Sequence, residues 1–377
     1  MDIPQDRAST HDLGGAIRAI LPSLEQFVRF EGADPARARS VWRAALDGPI
    51  PETGVGREAV LAELADLVVA NGLRVGHPGF SGWVTTMPTD VGAAADLAQA
   101  VAVPQRWWAT AGNFADDLAM RWLVALLGFP AHFTGTFTAG GSSANLIGLG
   151  AARQHAGERL GLQPSRDGCH GMVEPRVYCS TATHHVVGRA LGVLGLGRRS
   201  LREIALDQRG TIDLDELQRA LDEDATAGRT QVAIVACAGD VNTGRVDPVG
   251  DLTRIARERG IWLHVDGAYG GWGVLDERVR SRFGDVATYD SLAIDPHKWL
   301  AAPVGTGAVI VRDAAVLGRA FEVETGAYDK ERQVPVGRGD TASPFDELGL
   351  GTPDFGVDFS ADGKQIAEMH AVLVAEG

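Results

Sequence analysis

From about residue 134 the chain alternates short apolar runs with longer segments whose apolar positions recur every three or four residues. The apolar runs cover residues 134–138, 176–180, 201–206, 232–238, 261–265, 291–294 and 307–311. Runs this short, bounded by glycine and polar residues, read as buried strands. Helical patterns lie between most of them, for example over 213–221 and 251–259, each followed shortly by glycine. Strands alternating with amphipathic helices predict a largely parallel sheet covered on both faces. Ligands on such sheets bind beyond the carboxyl ends of the strands.

Before residue 134 the pattern is helical. Residues 1–50 are rich in Ala, Arg and Asp and carry no obvious chemistry, and the Pro/Gly-rich stretch 48–56 reads as a connector. A helix is expected over 57–70, with Val60, Leu61, Leu64, Leu67 and Val68 on one face. Residues 75–83 break regular structure. Asp90 suits the N-cap of a helix to residue 103, and Asn113 that of a helix to Leu127, before Gly128 and Pro130. After about residue 321 the rhythm dissolves into a polar, Gly-rich loop over 326–351. The expected organisation is a helical segment over 1–50 and one large α/β domain over 51–377.

Bulk properties narrow the classes. The chain has 377 residues, 45% hydrophobic and 22% charged, which is enough for one large domain with an appendage or for two. A net charge of −14 with no dense Lys/Arg run argues against nucleic acid or an anionic membrane as partner. No apolar run approaches the roughly 20 residues a membrane helix needs. The N-terminal Met-Asp-Ile-Pro-Gln-Asp lacks the basic start and apolar stretch of a signal peptide. Cys169, Cys179 and Cys237 show no Cys-x-x-Cys spacing, which fits a reducing cytoplasm and no structural zinc site. The histidines show no metal-ligand spacing either, so no metal is expected.

The chemistry-bearing residues fall at predicted strand ends. Lys298 follows the run Ser-Leu-Ala-Ile-Asp-Pro-His over 291–297, and Asp266 closes the run Ile-Trp-Leu-His-Val over 261–265. A half-buried lysine able to form an imine, with a carboxylate able to hold a pyridinium nitrogen, is the minimum equipment for pyridoxal phosphate chemistry. Asp266 also suits a helix N-cap, but the following Gly-Ala-Tyr-Gly-Gly is a poor helix start. Thr138-Ala-Gly-Gly-Ser-Ser-Ala-Asn145 is a strand-to-helix junction whose exposed amides and hydroxyls suit a phosphate. That junction also approaches a Gly-x-Ser-x-Gly nucleophile elbow, which keeps a serine hydrolase using Ser142 or Ser143 open. His184 and His185 open a helix after the run 176–180; such histidines serve as caps or surface residues, or stack on a planar cofactor.

Gly140-Gly-Ser-Ser-Ala-Asn145, Thr183-His-His185, His264-Val-Asp-Gly-Ala-Tyr269 and Asp295-Pro-His-Lys-Trp299, in this order, resemble the group II pyridoxal phosphate-dependent amino acid decarboxylases. The resemblance runs from about residue 46 to 360. It implies the type I pyridoxal phosphate-dependent transferase (aspartate aminotransferase-like) fold, with a mostly parallel seven-stranded sheet flanked by helices. It implies that Lys298 carries pyridoxal 5'-phosphate as an imine, that Asp266 pairs with the ring nitrogen, and that His184 and Ala268 cover the two ring faces. It places Gly141, Ser142 and His297 at the phosphate, and Thr86 at the site entrance. Trp107 falls where the family supplies a substrate-pocket aromatic from the partner subunit, which implies a homodimer with shared sites. Tyr328 falls where a mobile-loop tyrosine returns a proton to the substrate carbon. Two departures stand out. Position 295 is Asp where several relatives have Asn, which removes an amide donor near the phosphate. After Asp358-Phe-Ser360 the sequence leaves the family pattern, so the small C-terminal domain is expected to be largely absent.

The expected activity is decarboxylation of an L-amino acid to the amine and CO2. A catalytically impaired or regulatory homologue that keeps the dimer, with or without the cofactor, is the main alternative, and the serine hydrolase is the remote one. Trp83, Trp107 and Trp108 are compatible with an aromatic substrate, although tryptophans serve cores equally well.

Overall fold

The computed structural model describes residues 12–31, 35–49, 51–102 and 111–321. They divide into two units, which meet in sequence between Trp83 and Val84.

The first unit holds helices α1 (Leu13–Val28), α2 (Pro35–Leu46) and α3 (Arg57–Glu63). Asp12 caps α1 by accepting a hydrogen bond from Gly15 N–H at 2.7 Å. The helix expected over 57–70 begins on time but changes pitch: after α3 the chain runs on as a π-helix over Leu64–Val69. The Ser23 hydroxyl donates to Ala65 C=O at 2.7 Å, joining α1 to that segment.

The second unit is the α/β layer structure. Helices α4 (Asp90–Ala102) and α5 (Ala111–Leu126) precede the sheet, whose strands are β1 (Thr134–Thr138), β2 (Arg176–Ser180), β3 (Leu201–Ile204), β4 (Gln231–Cys237), β5 (Trp262–Asp266), β6 (Ser291–Ile294) and β7 (Gly307–Val311). Helix α6 (Gly141–Glu158) follows β1, α7 (Pro164–Asp167) precedes β2, and α8 (Val186–Val193) joins β2 to β3. Helices α9 (Leu214–Thr226), α10 (Val249–Arg259), α11 (Pro296–Trp299) and α12 (Ala314–Phe321) complete the unit. All seven expected apolar runs are strands. The third stops early because Asp207 N–H turns back to Thr211 C=O at 2.7 Å, leaving Leu206 only an isolated bridge to Ile212.

The sheet order is β1-β7-β6-β5-β4-β2-β3. Pairings within β6-β5-β4-β2-β3 are parallel, while β7 is antiparallel to both β1 and β6. The β6–β7 connection carries only the four-residue α11, too little for a crossover, so the chain reverses there. Two reversals cancel: β1 runs the same way as β6. The carboxyl ends of β1, β2, β5 and β6 therefore lie along one edge of the sheet, and each leads into a stretch that the sequence singles out.

Strand side chains alternate between two cores. Ile234, Leu263, Val265, Leu292, Ile294 and Ile310 face α5, α9 and α10, while Ala233, Val235, Trp262, Ala293, Val309 and Val311 face α6, α8 and α12. Helix α6 is buried along most of its length and packs small residues against the sheet. A Cβ on Gly148 would come 2.6 Å from His264 Cε1, so this close approach depends on glycine.

Candidate active site

Four chain segments converge at the shared strand edge. The first is the β1–α6 junction. Gly140 has φ +91° and ψ 174°, a backbone that favours glycine, and turns the chain sharply into α6. The N–H groups of Ser143 and Ala144 return to Gly140 C=O, so those of Gly141 and Ser142 are left at the open end of an 18-residue helix. A side chain on Gly141 would meet Asp295 Oδ2 at 2.6 Å and Ala268 Cβ at 2.9 Å. The bare helix start therefore lies directly against the segments after β5 and β6.

Asp266 ends β5. It is buried, and one carboxylate oxygen accepts from Ala268 N–H at 3.2 Å. Two residues earlier on the same strand face, His264 is fully buried in a polar chain. Its ring nitrogens contact Ser291 Oγ at 2.8 Å and Asn145 Oδ1 at 2.9 Å. Asn145 Nδ2 donates to Gly141 C=O at 2.8 Å, and Trp262 Nε1 donates to Ser291 Oγ at 2.8 Å. Asn145 Oδ1 can only accept, so His264 carries its proton on Nε2, and the Ser291 hydroxyl donates to Nδ1. Burial pushes the His264 imidazole down to about 4, so the ring is neutral at pH 7.

Lys298 lies on α11, just past β6. Its Nζ is 2.8 Å from Asp295 Oδ2, one helical turn back, and Asp295 is 2% exposed. Thr86 donates to His297 C=O twice, through its hydroxyl at 2.9 Å and its N–H at 3.3 Å, which pins the α11 backbone beside the lysine. His297 Nδ1–H donates to Thr306 C=O at 2.7 Å, and its Cε1 is 3.8 Å from where a Gly140 Cβ would sit. The ring is thus fixed beside the β1–α6 turn with Nε2 as its remaining polar atom.

His184 is the fourth element. It precedes α8, is exposed, and its Nδ1 accepts from Val186 N–H at 3.4 Å. Its ring lies 4.1 Å from that of His185. Partial desolvation and the neighbouring His185 push its imidazole below the ordinary value, against the pull of the Asp266 carboxylate; Lys298 adds to the downward push. The charges of Asp266 and Lys298 thus both reach His184.

The structure brings together Gly141, Ser142, His184, Asp266, Ala268, His297, Lys298 and Thr86. Trp107 and Tyr328 lie outside the described residues. Neither Ser142 nor Ser143 is hydrogen-bonded to a histidine among the described residues, so neither has the adjacent base that a hydrolase nucleophile needs.

Two features escaped sequence reasoning. One is the polar chain through His264, for which the signal is period two: His264 shares a strand face with Asp266. The other is the ion pair of Asp295 with Lys298, at the i,i+3 spacing of neighbours on a helical turn. Composition held a further signal. The sequence has three lysines, Lys298, Lys330 and Lys364, among 35 Lys and Arg residues. Every basic side chain of Lys/Arg type in residues 1–297 is arginine, so Lys298 is the first amine side chain in the sequence and the one at the end of a predicted strand.

A family model described as the pyridoxal-dependent decarboxylase conserved domain matches residues 51–341. The chain belongs to the pyridoxal-dependent decarboxylases. It is 34% identical over 286 residues to an aromatic-L-amino-acid decarboxylase of Bacillus atrophaeus, covering 75% of this chain and 57% of that protein. It is 30% identical over 273 residues to an L-2,4-diaminobutyrate decarboxylase of Rhizobium meliloti (strain 1021), covering 71% and 52%. The chain thus spans little more than half the length of these curated relatives. Mouse CSAD shares the fold at TM-score 0.81 and 20% identity, covering 97% of this chain and 74% of that one. Oryza sativa TDC, solved with PLP and tryptamine, does so at TM-score 0.74 and 22% identity, covering 99% and 76%. The expected type I fold is the observed one.

The residues present fit the family's cofactor, an aldehyde-bearing pyridine with a phosphate arm. An amine stands at Lys298. A helix start without a side chain at Gly141 leaves room and free N–H groups for an anion. A buried carboxylate at Asp266 has no cationic side chain paired with it among the described residues, and so is available to a protonated ring nitrogen.

Proposed function

We propose that the chain is the cofactor-binding part of an enzyme that decarboxylates an L-amino acid with pyridoxal 5'-phosphate, giving the amine and CO2. The observation that carries this reading is the continuous contact from Lys298 Nζ through Asp295 and the bare α-carbon of Gly141 to Ala268 and Asp266. In this reading Lys298 holds the cofactor aldehyde covalently. The Gly141 and Ser142 N–H groups, with His297, hold the phosphate at the start of α6. Asp266 keeps the ring nitrogen protonated, while Ala268 and His184 cover the two ring faces. Once bound, the cofactor supplies an electron sink for the bond broken at the substrate α-carbon. Thr86 keeps α11, and so Lys298, at the site entrance. Tyr328 returns a proton to the α-carbon, and Trp107 reaches the pocket from the partner in a homodimer with shared sites. An aromatic substrate is favoured by the 34% identity to the Bacillus atrophaeus protein named for aromatic amino acids. Three cysteines without pairing spacing support a cytoplasmic location.

The test is to mix the purified chain with pyridoxal phosphate, reduce with borohydride and map the adduct by mass spectrometry. The adduct is expected on Lys298 and absent in Lys298→Ala; reduction without an adduct at Lys298 overturns the cofactor reading. CO2 and amine release from aromatic, acidic and basic L-amino acids then tests turnover. An adduct without CO2 from any of them overturns decarboxylation in favour of a regulatory, cofactor-holding role.

A further inference from the structure

Helix α6 begins at the candidate active site, and its other half borders a second cavity. Arg153 lies more than three turns along α6 from Gly141, about 18 Å at 1.5 Å per residue. The cavity holds about 370 Å³ between α6, the turn after α8 and the loop before β2, and is lined by Arg153, Cys169, His170, Pro175, Leu194 and Leu196. Pro175 and Leu196 come just before β2 and β3, so it sits at the opposite edge of the sheet from the strand ends that lead to Asp266 and Lys298. Gly195 also borders it, and a Cβ there would meet nothing within 4 Å, so the mouth on that side is open.

Arg153 is half-buried in this wall. Its Nη1 donates to Leu194 C=O at 3.1 Å, while its Nε is buried with no hydrogen-bond partner. No carboxylate pairs with it among the described residues. The acids on the neighbouring loop are spent elsewhere: Asp167 on Arg166 at 2.9 Å, and Glu174 on Arg176 at 3.1 Å and Arg229 at 2.8 Å. Burial pushes the Arg153 guanidinium down, yet an arginine keeps its charge in a folded protein. A partly desolvated cation without a counter-ion costs free energy that an arriving anion recovers. The Nε–Nη2 edge is the fork that takes a carboxylate with two parallel hydrogen bonds. Facing it are the apolar side chains of Leu194 and Leu196, both buried, and half-buried Pro175.

We propose that this cavity is a binding site for a small organic carboxylate with an apolar body, the carboxylate on Arg153 and the body against Pro175, Leu194 and Leu196. Charge decides between related compounds. Among the described residues no acidic side chain lines the cavity, so an ammonium group entering it meets an unpaired guanidinium and no carboxylate. An amino acid and its amine both bring such a group. A carboxylic acid without an amino group does not, and it satisfies the cation and the apolar wall together.

Cys169 gives a local readout, because it is partly accessible while Cys179 and Cys237 are buried. Burial pushes its thiol up, against the pull of the Arg153 charge, so alkylation of the full chain by iodoacetamide is followed at about pH 8.5. The rate at Cys169 is mapped by mass spectrometry with 3-phenylpropionate, 3-phenylpropylamine, phenylalanine or inorganic phosphate at about 10 mM. The acid is expected to slow it by at least about fivefold, and the other three to leave it unchanged. No slowing by 3-phenylpropionate overturns the inference, and so does equal slowing by the amine, by phenylalanine or by phosphate. In Arg153→Gln the acid is expected to lose its effect, and protection that persists in a folded Arg153→Gln also overturns the assignment. If that variant does not fold, the comparison of acid with amine on the wild-type chain decides alone.

Discussion

His264 links the α6 start to the strand that carries Asp266, and its neutrality is what the buried chain of hydrogen bonds requires. Nε2–H donates to Asn145 Oδ1 and Nδ1 accepts from Ser291, whose Oγ already accepts from Trp262. A second ring proton would face the Ser291 hydroxyl proton and force it to turn away, adding a lost hydrogen bond to the cost of burying charge. The native imidazole titrates near 4, against an ordinary 6.5. Above about pH 6.5 both native and unfolded chains hold a neutral ring, and the stabilisation is fully present. As pH falls below 6.5 the unfolded chain binds a proton that the native chain refuses, so stability drains away until about pH 4. That gap, at about 1.4 kcal/mol per pH unit, is worth about 3 kcal/mol in all, of which about 1.4 kcal/mol is lost by pH 5.5. Glutamine at 264 cannot titrate, and it leaves part of the chain unsatisfied at a cost of about 1–3 kcal/mol near pH 7.5. Urea unfolding of the cofactor-free wild type and His264→Gln is therefore expected to show a stability difference that narrows by about 1.4 kcal/mol between pH 7.5 and 5.5. A difference that stays constant over that range refutes the reasoning, because other titrating groups act on both proteins alike.

Gly141→Ala would put a methyl group 2.6 Å from Asp295 Oδ2 and 2.9 Å from Ala268 Cβ. Pyridoxal phosphate affinity, measured by borohydride trapping against concentration, should fall by at least about tenfold, which is about 1.4 kcal/mol; unchanged trapping contradicts the phosphate cradle. Gly239 has φ +93° and its Cβ position lies 2.6 Å from Gly270 Cα, so Gly239→Ala should cost more than about 2 kcal/mol in denaturant unfolding. A wild-type midpoint would show that the two loops separate freely. Asp247 accepts from Ile212 N–H at 2.9 Å through one oxygen and from Cys237 N–H at 2.8 Å through the other. Asp247→Asn turns an NH2 toward one of those donors and should destabilise the chain by about 1–3 kcal/mol, read as a lowered urea midpoint with unchanged slope.

The strands were legible because buried parallel strands are short, continuous apolar runs, and the seven runs differ from the seven strands by at most two residues at an end. The direction of β7 was not legible. An apolar run of five residues reads the same in either sense, and only the brevity of the 295–306 connection hints at reversal. The π-helix over Leu64–Val69 escaped as well, since its apolar spacing also fits an α-helix. At the site, Lys298, Asp266 and Gly141 stood out because each breaks the local pattern: a charge after an apolar run, or a glycine at a helix start. Asp295 stood out only as a departure from the family pattern, and neither its pairing with Lys298 nor the role of His264 was legible, because both lie in partners: three residues away for Asp295, and 119 and 27 residues away for His264.

Those two residues meet at Gly141. From one side, Asn145 fixes the Gly141 carbonyl and passes the constraint through His264 to β5. From the other, Asp295 lies over the Gly141 α-carbon while holding Lys298. A residue with no side chain is the joint between a neutral hydrogen-bonded chain and a buried ion pair. The separation is physical: His264 is saturated by a donor and an acceptor it cannot leave, whereas Asp295 keeps an unsatisfied oxygen beside its amine. Rigidity on the β5 side holds the Asp266 carboxylate in place, and a side chain at Gly141 would press on Asp295 and Ala268 at once, so the helix start that both sides share admits no larger residue.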